Sequence, residues 1–426
     1  NAWTYNKPTD SYYLHYFSRK QPDLNWENPE VRQEIFDMMR FWFDKGIDGF
    51  RMDSISLIAK DPSFPLIDSK KYPDIFSFYA KEPRLHLYLH EMNRQVLSKY
   101  DCMSVGEGSA VMVDDVAKFV DPAREELNML YHFDAARIRN TTLPDNPESG
   151  IDYSLIALKK MFTEWDKAVD KGWPSIYLGN HDQPRMVSRF GSDKDEFRAL
   201  SAKMLITFLL TMRGTPYWFA GDEIGMRNIR FDHIEDYNDI DTINRYKKAK
   251  AEGKDPQAVL DEQKETGRDN ARTPFQWDRS PEAGFTAGTP WLKVNPDYTW
   301  INVADEEKDP TSILNYFKKV VSFRKENPSL IYGSYHLLDA ENPQSYTFLR
   351  KTGADTYLIM LNFSPKAAIS TPGIDMSNAH VLLDNYGDRS HMAPQKDITL
   401  RPFEAIVFQL NHPVYESFID SLDLLE

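Results

Sequence analysis

Three acidic residues stand directly after short apolar runs, where a strand would end. Gly46-Ile47-Asp48-Gly49-Phe50-Arg51-Met52-Asp53 closes on an arginine and a carboxylate, and Cys102-Met103-Ser104-Val105-Gly106-Glu107 delivers a single glutamate. Trp173-Pro174-Ser175-Ile176-Tyr177-Leu178-Gly179-Asn180-His181-Asp182 delivers a His-Asp pair. Charged residues at the carboxyl ends of strands are where α/β barrels keep their chemistry. Three such ends in one barrel would bring Asp53, Glu107 and Asp182 to a common cleft, where repulsion and burial can split carboxyl pKa values into acid and base roles. Such a pair suits glycoside hydrolysis: one group attacks or activates water while the other protonates the leaving oxygen. A magnesium site made from the same acids is the competing chemistry. Arg51 and His181 argue against it, since a neighbouring guanidinium keeps a carboxylate ionised and repels a cation, and no metal site is assigned. Taken alone, the stretch to Asp53 also reads as a surface strand end closed by a solvated ion pair, and Glu107 as an ordinary strand-end glutamate.

The elements that must hold these residues alternate along the chain. Asn28-Pro29-Glu30 supplies a helix start, Val31, Ile35, Met38, Met39 and Trp42 follow at helical spacing, and Gly46 stops the helix before the strand to Asp53. A helix near 83–99, the strand to Glu107, a strand over 127–133, a helix near 152–171 and the strand to Asp182 continue the series. A helix near 195–212, a strand over 215–220 and a last helix near 312–326 complete it. This alternation implies a parallel sheet with crossover helices, and charges at successive strand ends favour a (β/α)8 TIM barrel over a doubly wound sheet. Five strands can be read, so the amino-terminal strands of such a barrel are expected to be missing from this chain.

Residues 1–25 alternate aromatic and polar groups and read as a small irregular sheet; 26–328 read as the barrel, with an aperiodic, charged insertion at about 222–300 that includes a Lys/Glu-rich helix around 244–266. After Asn327-Pro328, short β-rich runs over 345–349, 356–361, 380–383 and 405–408 are separated by Gly, Pro and Asn, as in an antiparallel β-sandwich domain over 329–412, followed by a tail, 413–426. A formal charge of −14 argues against nucleic-acid or anionic-membrane partners, and no run of 18 apolar residues encodes a membrane span. The single cysteine, Cys102, precludes an internal disulfide and fits a cytoplasmic location, although a disulfide-free periplasmic protein would read the same way. Asn1-Ala2-Trp3-Thr4-Tyr5 has neither a start methionine nor signal-peptide regions, so a chain cut at its front is expected.

Gly49-Phe50-Arg51-Met52-Asp53, Val105-Gly106-Glu107 and Asn180-His181-Asp182 resemble three signature regions of the α-amylase superfamily of glycoside hydrolases. Arg268-Asp269-Asn270-Ala271-Arg272-Thr273-Pro274-Phe275-Gln276-Trp277-Asp278 and Gln21-Pro22-Asp23-Leu24-Asn25-Trp26 are similar to segments of its oligo-1,6-glucosidase and α-glucosidase branch, the second closing a small inserted B domain. The resemblance runs from the first residue to about 410.

What it implies is a retaining exo-α-glucosidase acting on small oligosaccharides. Asp53 matches the nucleophile, Glu107 the general acid and base, and Asp182 the third carboxylate that holds sugar hydroxyls. Arg51 and His181 match residues lining the −1 sugar subsite, and Arg268 the arginine gripping the non-reducing-end glucose. The family's first signature region and its calcium loop have no counterpart in this sequence, so no cofactor is expected here, and an amino-terminal fragment completing the barrel is the expected partner. Ser54, after the presumed nucleophile, stands where the branch tends to have Val for α-1,6 preference and a smaller or polar residue for α-1,4 preference, which points to α-1,4 bonds. A sucrose isomerase or transglucosidase shares these motifs. A non-catalytic, transporter-associated relative is disfavoured because all three acids are kept.

Overall fold

The computed structural model describes residues 2–72, 74–353, 355–389 and 396–410. The chain divides into two compact units, 1–133 with 167–174, and 134–166 with 175–426.

In the first unit, β1 (Trp3–Asn6) pairs antiparallel with β2 (Ser11–Leu14) in the irregular aromatic stretch. The helix Pro29–Asp44 starts where the sequence says it should: the Asn28 side chain accepts a hydrogen bond from the Glu30 N–H at 2.9 Å, and Pro29 fills the first turn. Gly46, at φ +93°, ends it in a conformation that other residues rarely adopt. The buried face is Phe36, Met39 and Phe43, while Met38 and Trp42, read as part of one apolar stripe, are exposed. Apolar residues on this helix cover more than one face, and spacing alone could not choose between them.

β3 (Gly49–Met52), β4 (Met103–Glu107) and β5 (Met129–Tyr131) form a parallel three-stranded sheet in that order, with the helix Arg84–Gln95 between β3 and β4 in sequence. β4 is buried along most of its length, as strands covered on both faces are. Gly49 is required by the pairing: a Cβ there would stand 2.0 Å from the Met103 carbonyl oxygen.

In the second unit, β6 (Ser175–Ile176) pairs parallel with β7 (Thr215–Pro216), and the helix Arg198–Thr211 between them is buried over most of its length. Both strands are shorter than the apolar runs that announce them. The expected single helix around 244–266 is two helices, Ile240–Ala251 and Pro256–Thr266. Gly253 at φ +68° breaks the first, and Asp255, accepting from the Gln257 N–H at 2.9 Å, caps the second ahead of Pro256.

The helix Ile313–Glu326 leads into a β-rich region. β8 (Ser334–Leu338), β9 (Ser345–Thr352), β10 (Asp355–Asn362), β11 (Ala368–Ser370), β12 (Ala379–Asp384), β13 (Ile398–Leu400) and β14 (Ala405–Leu410) build two antiparallel sheets, one of order β12-β14-β10-β9-β8 and one of β11-β13. Leu349, Leu358, Met360, Ile398, Leu400, Ile406 and Phe408 pack together as their core. The expected tail at 413–426, with residues 411 and 412, lies outside the described residues.

Candidate active site

Parallel pairing fixes the first group of site residues. Register places Met52 opposite Gly106 and Glu107 opposite Tyr131, so Asp53, one residue past β3, and Glu107, the last of β4, emerge side by side from neighbouring strands. Gly106 and Gly108 leave no room for side chains around the glutamate: a Cβ on Gly106 would lie 2.7 Å from Leu127, and one on Gly108 2.6 Å from Leu130.

Arg51 joins the carboxylates. Its Nη2 donates to Glu107 Oε2 at 2.8 Å, its Nη1 to Asp53 Oδ1, and its Nε to the Tyr131 hydroxyl. One guanidinium therefore reaches both acids. Glu107 Oε2 also accepts the Ser54 backbone N–H at 3.0 Å, and the Ser109 hydroxyl lies 3.4 Å from Oε1. The two acids differ in exposure, the Asp53 side chain being 72% exposed and that of Glu107 8%. Burial pushes the Glu107 carboxyl above its usual range, and a hydrogen bond that its protonated form donates to Asp53 adds to this, while the Ser54 N–H and Arg51 pull the other way. The arrangement is one solvated carboxylate beside one buried carboxyl that favours its proton.

The second group lies in the second unit. His181 Nε2 is 3.1 Å from Asp182 Oδ2, and the Asp182 backbone N–H donates to Asn180 Oδ1 at 2.8 Å. Arg272 Nη2 donates to Asp182 Oδ1 at 2.8 Å, and its Nε to the His181 carbonyl. Arg268 Nη1 reaches the same Asp182 oxygen at 3.3 Å, and its Nη2 binds Asp239. Burial alone would lower the Arg268 value, but the bond to Asp239 and its charge more than offset this and raise it. Asp239 is lowered, its own burial being outweighed by Arg268 and by Thr242 at the cap of the helix Ile240–Ala251.

The structure thus gathers Arg51, Asp53 and Glu107 in one unit, and His181, Asp182 and Arg268 in the other. Sequence reasoning missed Tyr131, Arg272 and Asp239. Arg272 was visible in the 268–278 motif; Tyr131 looked like any strand aromatic, and Asp239 lay in an aperiodic polar stretch. Among the described residues, no group of three or more His, Cys, Asp or Glu side chains is placed to hold a metal ion.

Residues 1–333 match the family described as "Alpha amylase, catalytic domain". An oligo-1,6-glucosidase of Parageobacillus thermoglucosidasius is 48% identical over 423 residues, 97% of this chain and 74% of the relative. Among solved structures, a trehalulose synthase, MutB, superposes with a TM-score of 0.90 at 38% identity, over 96% of this chain and 74% of the other. The isomaltulose synthase SmuA of Protaminobacter rubrum gives 0.89 at 37% identity, over 97% and 74%. Together with the parallel strand pairs, these likenesses make the fold a TIM barrel carrying a carboxy-terminal antiparallel β domain.

Proposed function

The chain belongs to the α-amylase family of glycoside hydrolases, and on that premise we propose that it is a retaining, exo-acting α-glucosidase of short oligosaccharides. In this reading, an Asp53 oxygen attacks the anomeric carbon while the Glu107 carboxylic acid gives its proton to the departing glycosidic oxygen. The bond to the leaving sugar breaks and a glucosyl ester forms on Asp53. Glu107, now ionised, takes a proton from water, whose oxygen attacks the same carbon and frees glucose and the Asp53 carboxylate. Arg51 steadies the negative charge that passes between the two acids. Asp182 holds sugar hydroxyls, and Arg268 grips the terminal glucose, which is what makes the action exo.

The observation that carries this reading is the pair itself: Asp53 exposed and Glu107 buried, at the ends of adjacent parallel strands and joined by one arginine. Glu107→Gln is expected to reduce maltose hydrolysis at least a hundredfold more than hydrolysis of an aryl glucoside whose leaving group needs no proton. Asp53→Asn should abolish both. Equal losses on the two substrates for Glu107→Gln would remove the acid from its role.

The likeness to trehalulose and isomaltulose synthases favours a second reading, in which a sugar rather than water intercepts the glucosyl ester. Products from sucrose separate the two: free glucose and fructose support hydrolysis, and a rearranged disaccharide supports isomerisation.

A further inference from the structure

Asn180, His181 and Asp182 lie in a segment without regular structure, running from β6 to the helix Met186–Phe190. Both ends of that segment meet one buried carboxylate, Asp222, which is 4% exposed. At the front end, a Cβ on Gly179 would stand 2.7 Å from Asp222 Oδ2, so the carboxylate packs directly on the backbone that precedes Asn180. At the far end, Asp222 accepts the Met186 N–H, and Arg185 Nη1 lies 3.7 Å from Asp222 Oδ1.

Arg185 is anchored in turn. Its side chain donates to the Ala220 carbonyl at 2.6 Å, and its backbone N–H to Asn228 Oδ1 at 2.9 Å. Burial pushes Asp222 up to about 7, against the pull of Arg185, and Glu223 adds to the rise. Taking both charges out of water is expensive, and replacing such a pair with apolar groups is often neutral or stabilising. The pair is therefore better explained by what it holds than by the stability it adds.

We propose that Asp222, paired with Arg185, is the positioning residue of the 179–186 segment and sets where Asp182 and His181 present their side chains. Asp222 does not touch sugar in this scheme; it acts through Asp182. The kinetic part rests on the α-glucosidase reading.

The test is a double-mutant cycle in the full chain. Asp222→Asn should fold and lose at least tenfold in kcat/KM on an aryl α-glucoside, mostly in kcat. Added to Asp182→Asn it should cost less than a further twofold, because the interaction it supports is already gone. Amide hydrogen exchange over 179–186 should quicken at least tenfold with β8–β14 unchanged. Losses that multiply in the double variant, or exchange that rises evenly along the chain, would overturn the proposal. If Asp222→Asn does not fold, Gly179→Ala presses the same contact from the other side without removing a buried charge, and the same pattern is expected of it. A wild-type chain that stays inactive on every α-glucoside even when assayed together with the amino-terminal strands expected to complete its barrel refutes the functional reading, while the exchange measurement still decides the positioning role.

Discussion

At Glu107 a carboxyl is withdrawn from water yet kept within reach of a second acid, and the two demands have opposite consequences for stability and activity. Its folded value lies above its unfolded one, so the stability it contributes is fully present below the ordinary carboxylate range and is lost as pH rises through the folded value. Glu107→Gln never ionises. Its melting temperature should therefore gain on wild type between pH 4 and pH 8, read by calorimetry at both values. A gain that shrinks with rising pH would contradict the burial argument. Ser54 adds a second residue-scale expectation. Its backbone is left-handed, at φ +45°, a region that β-branched side chains strongly disfavour. Ser54→Val should thus cost about 1–2 kcal/mol in thermal or urea unfolding, and any effect on linkage has to be read from the ratio of kcat/KM on maltose to that on isomaltose. The proposal is that the parent favours maltose and that Val moves the ratio toward isomaltose. A parent strongly preferring isomaltose would dismiss Ser54 as the discriminator.

Among the elements, those with chemical punctuation were the legible ones. Asn28-Pro29 opened a helix and Gly46 closed it, and Asn28→Ala should destabilise the chain by about 1 kcal/mol through the lost cap. No change in the urea midpoint would show that the cap is idle. A single helix around 244–266 was expected because Lys and Glu continue across the Gly253 break, so composition concealed a stop that the backbone enforces. β11 and β13 escaped notice for another reason: they are three residues each, and Ile369 in β11 points to solvent. At the site, a carboxylate at a strand end announced itself, whereas its partners did not. Tyr131 and Asp239 become functional neighbours only once register and tertiary contacts bring them to Arg51 and Arg268.

For the molecule as a whole, buried cations serve as fasteners. Lys159 is fully buried and its ammonium donates to the carbonyls of Asp339, Asn342 and Ser345, at 3.0, 2.8 and 3.2 Å, tying the helix Leu155–Ala168 to the connection before β9. Lys159→Met would leave three carbonyls short of a donor and should cost about 3 kcal/mol; a melting temperature unchanged by the substitution would show that water replaces the ammonium there. The acids at the ends of β3 and β4 bear the central claim, that Asp53 forms a covalent bond to glucose. The most direct measurement is peptide mapping by mass spectrometry after reaction with 5-fluoro-α-glucosyl fluoride, whose glucosyl ester hydrolyses slowly. One fluoroglucosyl group on the peptide containing Asp53, absent from Asp53→Asn, is the predicted result. An active wild-type chain that carries no label, or carries it on another residue, would contradict the account.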